Sequence, residues 1–481
     1  MKTHSVKVNA TLNIIKTLFS LIFPLITFPY ASRVLGPSGT GKVHFAQSII
    51  SYFAMIASLG IGTYGIREAA KVRDDRTVLT KFVKEVFSIN LISTVFAYFL
   101  LFASLFLVPK FEEYRNILIV CSSTILFTTL GMDWLYSAKE EYFYITIRSI
   151  VFQFLSAVLL FTLVRKSDDI LQYAAVSVVS SVGSNILNFF HARKFLDLKV
   201  KITLELKKHL KPIFTLFAMS VAVSIYTVLD STMVGFIKDD AEVGFYNAAT
   251  KINKLVLTLV NSVGTVLLPR LSYYAELKDK SSFGNLTQKG MNFLLILALP
   301  CAAGLGVLSK QIILLFSGEQ FLPALNAMRI MNPIILIVSL SGLIGIQIFM
   351  PLRKEKLTLI SVICGCIVNV IFNSILIPKY GATGAAIATL IAESVVTLIQ
   401  LILARKYFDW KKITIHFVQC LIATIFMSFA VYFISSKFES NFASVLCGIL
   451  IGILSYIFVL FIFRNKFLLG ILKSVFKRRR S

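Results

Sequence analysis

Long, continuous apolar segments are the feature that most constrains the fold of this chain. A helix crosses a bilayer with roughly 20 apolar residues, and about fourteen segments of the 481 residues reach that length. The runs do not alternate between polar and apolar positions, which favours helices over a β-barrel. The predicted spans lie near 11–32, 44–66, 86–108, 116–137, 146–164, 170–190, 212–236, 243–268, 290–309, 325–350, 357–377, 383–403, 413–435 and 442–463.

The composition also indicates an all-α polytopic membrane protein. Hydrophobic residues make up 57% of the chain and charged residues 15%, whereas a soluble domain contains about 45–50% apolar residues. The formal net charge is +25, which in a soluble protein would suggest a nucleic-acid partner. The basic residues lie mostly in alternate loops, so we expect the bilayer as partner and no nucleic acid.

The distribution of Lys and Arg predicts the orientation in the membrane. Loops on the side of the N-terminus hold 35 of the 49 basic side chains, and the opposite loops hold 11. The positive-inside rule then places both termini in the cytoplasm. The basic tail Lys477–Arg480 is typical of a membrane-surface anchor. No loop on the opposite side is long enough to hold a soluble catalytic domain, so we do not expect an enzyme.

A basic loop, His191–Lys211, separates two groups of six spans, and the two groups resemble each other. Gly131–Ile145 aligns with Gly345–Leu359 at an offset of 214 residues. Repeats with an even number of spans run in the same sense, as in transporters whose substrate site lies between two halves. The predicted domains are an N-terminal lobe at 1–200, a C-terminal lobe at 201–406, and two extra helices with a basic cytoplasmic tail at 407–481.

Span eight carries a continuous polar face. At 100° per residue its polar side chains stay within about 40° of one line. Ser and Thr alone would favour helix packing, but a charge at mid-bilayer costs roughly 2.5–3.5 kcal/mol and normally faces a wet cavity. The face contains Asn247, Lys251, Lys254, Thr258, Asn261 and Thr265. Polar residues on spans one and two, namely Lys16, His44 and Gln47, are predicted to face the same cavity.

A second group of polar residues offers oxygen ligands for a coupling ion. It consists of Asp230 on span seven, Asn369 and Asn373 on span eleven, and Thr389 on span twelve. A hard cation such as sodium prefers this chemistry, although buried Asn pairs also tie helices together. Protons acting through Asp230 or Glu393 are the alternative. We expect no other metal and no cofactor.

Several segments match recurring motifs of one family of membrane proteins. The first motif is Phe28–Pro37, which reads FPYASRVLGP and is followed by Gly41. The other motifs are Leu59-Gly60, Tyr64–Glu68, Asp133-Trp134, Glu140-Glu141-Tyr142, Arg148 and Leu268–Ser272. In these segments the sequence resembles the O-antigen and polysaccharide flippases of the Wzx type.

The resemblance implies the fold of the multidrug/oligosaccharidyl-lipid/polysaccharide (MOP) exporter superfamily, with spans 1, 2, 7 and 8 around a central cavity. It further implies transfer of an undecaprenyl-diphosphate-linked oligosaccharide across the bacterial inner membrane, with polysaccharide polymerase and chain-length machinery as partners. Related lipid II flippases hold sodium in the C-terminal lobe, where the predicted oxygen ligands are similarly placed. Their cavity arginines do not fall on arginines here.

Lys251 and Lys254 are the residues predicted to bind the diphosphate, with Lys16 as a further cation. Two other functions remain open at this stage. A multidrug exporter of the same fold would favour cationic drugs through buried acids, whereas the charges on the polar faces here are lysines. A membrane-embedded glycosyltransferase or polymerase would require a catalytic constellation in a sizeable outer loop.

Overall fold

A computed structural model describes residues 6–197, 203–465 and 467–470, and every regular element in these ranges is helical. Continuous apolar runs become helices because lipid offers no partner for an unsatisfied backbone group. The helices are α1 (Val6–Ser58), α2 (Ile61–Lys71), α3 (Arg76–Leu107), α4 (Lys110–Glu113), α5 (Arg115–Gly131), α6 (Asp133–Ala138), α7 (Tyr142–Leu163), α8 (Ile170–Val178), α9 (Asn185–His191), α10 (Lys207–Ile237), α11 (Asp240–Glu276), α12 (Lys280–Phe316), α13 (Ala324–Met331), α14 (Ile334–Gly342), α15 (Glu355–Ala404), α16 (Trp410–Ser435) and α17 (Asn441–Ile462).

Within the described residues, nine helices are long and apolar enough to cross a membrane, or up to eleven if each of two bent pairs forms one span. The chain is therefore a multi-pass membrane protein, and the predicted all-α class is confirmed. Two of the nine helices each cover two predicted spans. They turn at Gly36 (φ 66°) in α1 and at Gly381 (φ 53°) in α15, a backbone region that glycine tolerates without a Cβ penalty. The number of fourteen spans stays a prediction.

Two compact units divide the chain, Met1–Gly244 (unit 1) and Phe245–Ser481 (unit 2). This division is based on contacts within each unit. The predicted lobe boundary near residue 200 is based instead on the internal sequence repeat, so the two units do not test it and it stays a prediction.

A buried aromatic cluster holds one end of unit 1 together. Its members come from α2, α3, α6 and α10 and include Tyr64, Phe82, Trp134, Tyr136 and Ile213. The rings of Phe82 and Trp134 meet edge to face with their centroids 6.0 Å apart, a favourable aromatic geometry. The cluster therefore fixes α6 and the first turns of α10 against α2 and α3.

The opposite end of unit 1 contains a close contact between α1 and the start of α11. A Cβ atom at Gly41 would overlap the carbonyl oxygen of Asp240, and one at Gly244 would overlap that of Pro37. Small residues permit such close backbone approach between membrane helices. Gly41 and Gly244 are thus required by the packing of α1 against the start of α11.

In unit 2 the helices α12, α16 and α17 pack against one another. Gly448 and Gly452 of α17 lie against Val431 and Met427 of α16, as expected where small residues let membrane helices approach. The helix α11 bends by 47° between Asp240–Ser262 and Leu267–Glu276. This bend lies at the far end of the predicted polar face.

Candidate substrate site

The predicted polar face of α11 lies on the side of the helix that is not buried. Lys254 is exposed, and Asn247, Lys251, Thr258 and Asn261 are partly buried. The other side of the same helix is buried, and its residues Ala248, Ala249, Ile252 and Val260 are at most 5% exposed. The side chain of Thr265 lies outside the described residues. The polar face is therefore less buried than the opposite side of the helix, and it is most exposed at Lys254.

Lys251 and Lys254 lie close enough on this face to repel each other electrostatically. Their helix provides further polar groups, since the Thr258 hydroxyl donates to the carbonyl oxygen of Lys254 (2.8 Å) and Thr250 donates to that of Asn247 (3.1 Å). Two neighbouring positive charges in a region of low dielectric attract a dianion strongly. This arrangement suits a diphosphate better than a cationic or neutral ligand.

Asn261 also lines a small cavity at the bend of α11. The cavity has a volume of about 20 Å³, which is enough for one water molecule. Its other polar lining groups are Ser339 and Gln347, and Gln347 belongs to a π-helical segment, Leu343–Phe349, that continues α14. The amide of Asn261 is thus placed at the end of the polar face and next to a structural break.

Lys16 lies on α1 in unit 1, where it is partly buried and interacts electrostatically with Asp133 and Arg148. His44 and Gln47 lie on the second half of α1 and are also partly buried. Their neighbour Ser48 accepts a hydrogen bond from the Thr232 hydroxyl (3.0 Å). Part of this polar stripe therefore ties helices together, whereas Lys16 belongs to a cluster of charges.

The charge cluster of unit 1 is centred on Arg148, which is buried on α7. Its Nη2 donates to Oδ1 of Asp133 (2.9 Å), and its Nη1 donates to the carbonyl oxygen of Ser184 (3.3 Å). The Asn188 amide donates to the same Asp133 oxygen (2.9 Å). The guanidinium is stacked near the Tyr144 ring at 5.8 Å. The charge of this buried arginine is thus compensated by a carboxylate, a carbonyl oxygen and a ring, while its Nε has no hydrogen-bond partner among the described residues.

The proposed oxygen ligands for a coupling ion fall into both units. In unit 2, Asn373 donates to Oδ1 of Asn369 (3.0 Å), and both side chains are at most 1% exposed. The Thr389 hydroxyl lies 3.2 Å from the Tyr246 hydroxyl, a partner that the sequence did not suggest. Asp230 lies on α10 in unit 1 and is 7% exposed. Within unit 2 the structure thus pairs the two asparagines, while Thr389 contacts Tyr246.

Sequence reasoning missed a second buried charge cluster in unit 1. Glu85 is 1% exposed and lies 2.8 Å from Nε2 of His209, whose Nδ1 lies 2.7 Å from the Tyr64 hydroxyl. Lys208 pairs with the same carboxylate at 3.0 Å. A cavity of about 230 Å³ borders these residues. His209 and Lys208 belong to the basic loop His191–Lys211. The sequence therefore gave only one indication of this cluster, namely the acidic residue Glu85 at the start of an apolar run.

Arg148 was visible in the sequence only as part of a family motif. A single arginine inside the predicted span 146–164 is a signal that could have been used, because a charge within a span needs a partner or a wet cavity. Its acceptors, Asp133 and the carbonyl oxygen of Ser184, lie in two other segments of the chain. Spacing along the chain could not identify them.

Comparison with known proteins assigns the family. The model of a family described as "Polysaccharide biosynthesis protein" matches residues 6–275, which is more than half of the chain. The chain belongs to this polysaccharide biosynthesis protein family. A second family model, described as MatE, matches residues 216–375. The motif resemblance to Wzx-type flippases is thereby confirmed at the level of the family.

Individual relatives and solved structures also match most of the chain. It is 26% identical over 398 residues to the "Putative O-antigen transporter" of Escherichia coli (strain K12), covering 80% of this chain and 93% of the relative. Its fold is similar to that of the lipid II flippase MurJ in an inward closed conformation, with a TM-score of 0.76, 21% identity, and 95% and 99% of the two chains covered. An inward-facing multidrug transporter of the MATE family and MOP superfamily gives a TM-score of 0.63 at 14% identity over 83% and 95%. The fold is that of the MOP superfamily.

Proposed function

We propose that this protein is a flippase that moves an undecaprenyl-diphosphate-linked oligosaccharide, such as a repeat unit of O-antigen or capsule, from the cytoplasmic to the periplasmic leaflet. The observation that carries the proposal is the position of Lys251 and Lys254, which lie close together on the polar face of a membrane helix. The family and the O-antigen transporter relative support the same substrate class.

The physical problem that such a protein solves is the transfer of a charged, hydroxylated head group through hydrocarbon. Removing an isolated charge from water costs far more than thermal energy, so the diphosphate needs cations along its path. The lysines of α11, with Lys16 as a further cation, neutralise it, while Asn247, Asn261, His44 and Gln47 offer hydrogen bonds to the sugar. The polyprenyl tail stays in lipid throughout.

Transport then proceeds by alternating access, in which the site opens to one side of the membrane at a time. Both termini lie in the cytoplasm, in agreement with the positive-inside asymmetry, and the membrane is the bacterial inner membrane. Sodium bound by Asp230, Asn369, Asn373 and Thr389, or a proton, supplies the driving force. Polysaccharide polymerase and chain-length machinery receive the product. No step of this cycle is catalytic.

A multidrug exporter is the competing function, because the MatE model and MATE structures also match this chain. Cationic drugs would be repelled by Lys251 and Lys254 on the face that they would have to occupy. The flippase is therefore the function that we adopt.

The test is the double variant Lys251→Gln, Lys254→Gln, which keeps the face polar but removes both charges. Each hydrogen bond to a charged group contributes about 1.5–3 kcal/mol, so we expect flipping to slow at least tenfold. Flipping is measured in vesicles that contain purified protein and the lipid-linked oligosaccharide, by the access of an external lectin to the sugar. Replacement of both residues by Arg should retain part of the activity.

The matched control removes two exposed lysines of unit 2, Lys280→Gln with Lys411→Gln, and should leave flipping unchanged. Melting temperatures of all variants report whether each is folded. A folded Lys251/Lys254 double Gln variant with the wild-type flipping rate would rule out the assignment of the diphosphate site.

A further inference from the structure

Asp133 is an exposed carboxylate in an otherwise buried part of unit 1. The helix α5 ends at Gly131, Met132 adopts a left-handed conformation (φ 43°), and Asp133 begins α6. Met132, Trp134 and Leu135 are at most 6% exposed, whereas the side chain of Asp133 is 54% exposed. Acidic side chains within membrane spans normally face the interior of the helix bundle or a water-filled cavity.

One oxygen of this carboxylate is held firmly in place. Its Oδ1 accepts hydrogen bonds from Arg148 and Asn188, both at 2.9 Å. Asn188 is fixed in turn, because it also donates to the carbonyl oxygen of Gly131 (2.6 Å). Arg148 and Asn188 are themselves at most 5% exposed. The donors therefore orient the carboxylate, and they do so from the buried side.

The second oxygen, Oδ2, has no hydrogen-bond partner among the side chains and backbone groups that the structure describes. An ionised carboxylate accepts hydrogen bonds and cannot donate them, and its bonds to hydroxyl groups are short and strong. The ion pair with Arg148 thus leaves Oδ2 as an acceptor on a half-exposed side chain whose other oxygen is fixed.

The charge pattern around Asp133 decides which part of the substrate can bind there. A diphosphate is repelled by a carboxylate, whereas the hydroxyl groups of a sugar are donors. Lys16 lies within electrostatic reach of Asp133 and offers a cation for the phosphate groups. A substrate with its diphosphate near Lys16 has its first sugar nearby, because the two are directly bonded.

We propose that Asp133 binds hydroxyl groups of the sugar next to the diphosphate and thereby contributes to the choice of oligosaccharide. This inference rests on the proposed flippase function and adds a specificity-determining residue to it. Arg148 and Asn188 are positioning residues, since they hold the carboxylate and are themselves buried.

The test uses Asp133→Asn in the full-length protein. The variant retains an oxygen that accepts from Arg148 and Asn188, and it replaces Oδ2 by a donor. Dissociation constants are measured in nanodiscs for two lipids, namely undecaprenyl diphosphate without sugar and the lipid-linked oligosaccharide extracted from cells that lack this protein. We expect the affinity for the sugar-bearing lipid to fall tenfold or more and that for the sugar-free lipid to change less than twofold.

Two further variants make the result specific. Asp133→Glu keeps the charge and the acceptor atoms but displaces them by one methylene group, so it should weaken only the sugar-bearing lipid and by less than Asp133→Asn does. It replaces Asp133→Asn in the comparison if the latter does not fold. Asp168→Asn, which removes an exposed acid of the same unit, should change neither affinity.

The outcomes separate this inference from the function on which it rests. An equal loss for both lipids, or no loss for either, would overturn the role of Asp133 while the flippase function stands. A wild-type protein that binds neither lipid would overturn the flippase function itself, together with the inference.

Discussion

The two units of this protein place their charges differently. Unit 1 buries ionised side chains and pairs them, as with Glu85 beside His209 and Arg148 beside Asp133. In unit 2 none of the buried polar side chains that the structure describes is an Asp, Glu, Lys or Arg; they are amides, hydroxyls and one imidazole, such as Asn369, Asn373 and Gln400. The lysines of α11 lie on a face that is not buried.

The difference separates structural charges from those available to a ligand. A buried charge must be paired and hydrogen-bonded because its desolvation cost is large, so its partners are already taken. Neutral amides cost less to bury and can pair with each other, as Asn369 and Asn373 do. In unit 1 Asp133 combines a buried partner with a half-exposed side chain, as Lys208 does with the buried Glu85. In each unit, a charged side chain that remains exposed is therefore a candidate for binding a ligand, whereas a buried and paired one stabilises the fold.

The largest expected effect comes from the cluster in which Glu85 of α3 pairs with His209 and Lys208 of the basic loop. Glu85→Ala removes the carboxylate that accepts from His209 and from the backbone N–H of Glu205. Removing one partner of a buried charge pair is strongly destabilising, so we expect the free energy of unfolding to fall by about 3 kcal/mol. The measurement is denaturant unfolding of the protein in detergent.

Glu205→Ala is the matched control for this prediction. Glu205 pairs with Lys81 and Lys208, which also approach Glu85, but it is 59% exposed. Exposed ion pairs contribute little, so the control should be close to wild type. Equal stabilities of the two variants would mean that burial does not distinguish structural charges in unit 1.

A smaller effect should decide whether the neutral amides of unit 2 are purely structural. If sodium binds Asp230, Asn369, Asn373 and Thr389, sodium at ten times its dissociation constant adds about 1.4 kcal/mol to stability. Asp230→Asn removes the only formal negative charge of this set and should abolish most of that gain. Melting temperatures are compared in sodium chloride and choline chloride at equal ionic strength. Equal sodium responses of wild type and variant would eliminate the site.

The smallest expected effect concerns an exposed ion pair in unit 2. Asp409 caps α16 and pairs with Lys412 at 2.8 Å, and the Lys412 side chain lowers the pKa of this carboxyl below its usual value. A depressed pKa stabilises the fold above the ordinary carboxyl pKa, and the contribution is lost as the pH falls through the lowered value. Asp409→Asn keeps the cap and removes the charge.

We therefore expect Asp409→Asn to melt slightly below wild type at pH 7 and the difference to disappear on acidification below about pH 4. High salt should also reduce the difference at pH 7, since exposed charges are screened. A difference that is independent of pH would show that the ion pair contributes nothing and that the substitution acts on the cap.

Much of the fold was predictable because the relevant signals are local. Apolar runs of spanning length predicted the helices, and the 3.6-residue period predicted the polar face of α11. The turn expected between the first two spans is found at Gly36, where the two helical segments of α1 meet. The packing of Gly41 against Asp240 explains why glycine occupies position 41, and the sequence alone could not identify this partner.

The candidate site was predictable only in part. Lys251 and Lys254 share one helix, so their common face follows from spacing, whereas the surroundings of Lys16 involve α1, α6 and α7. Glu85 and His209 are 124 residues apart, and the sequence contains no periodic signal that connects them. The pairing of Thr389 with Tyr246 joins two helices that are similarly distant in the chain.

By itself, the sequence determined that this protein is an all-helical membrane protein with cationic polar helices, because hydrophobic length, helical period and the distribution of lysines are properties of the chain read in one dimension. Which charged side chains are paired within the fold, and which stay exposed, depends on the tertiary structure. Arg148 and Glu85 are buried and paired, while the side chain of Asp133, the carboxylate that pairs with Arg148, is 54% exposed. Burial and hydrogen bonding depend on residues that several helices bring together, and in the low dielectric of a membrane protein those neighbours decide whether a charge supports the fold or remains available to a ligand.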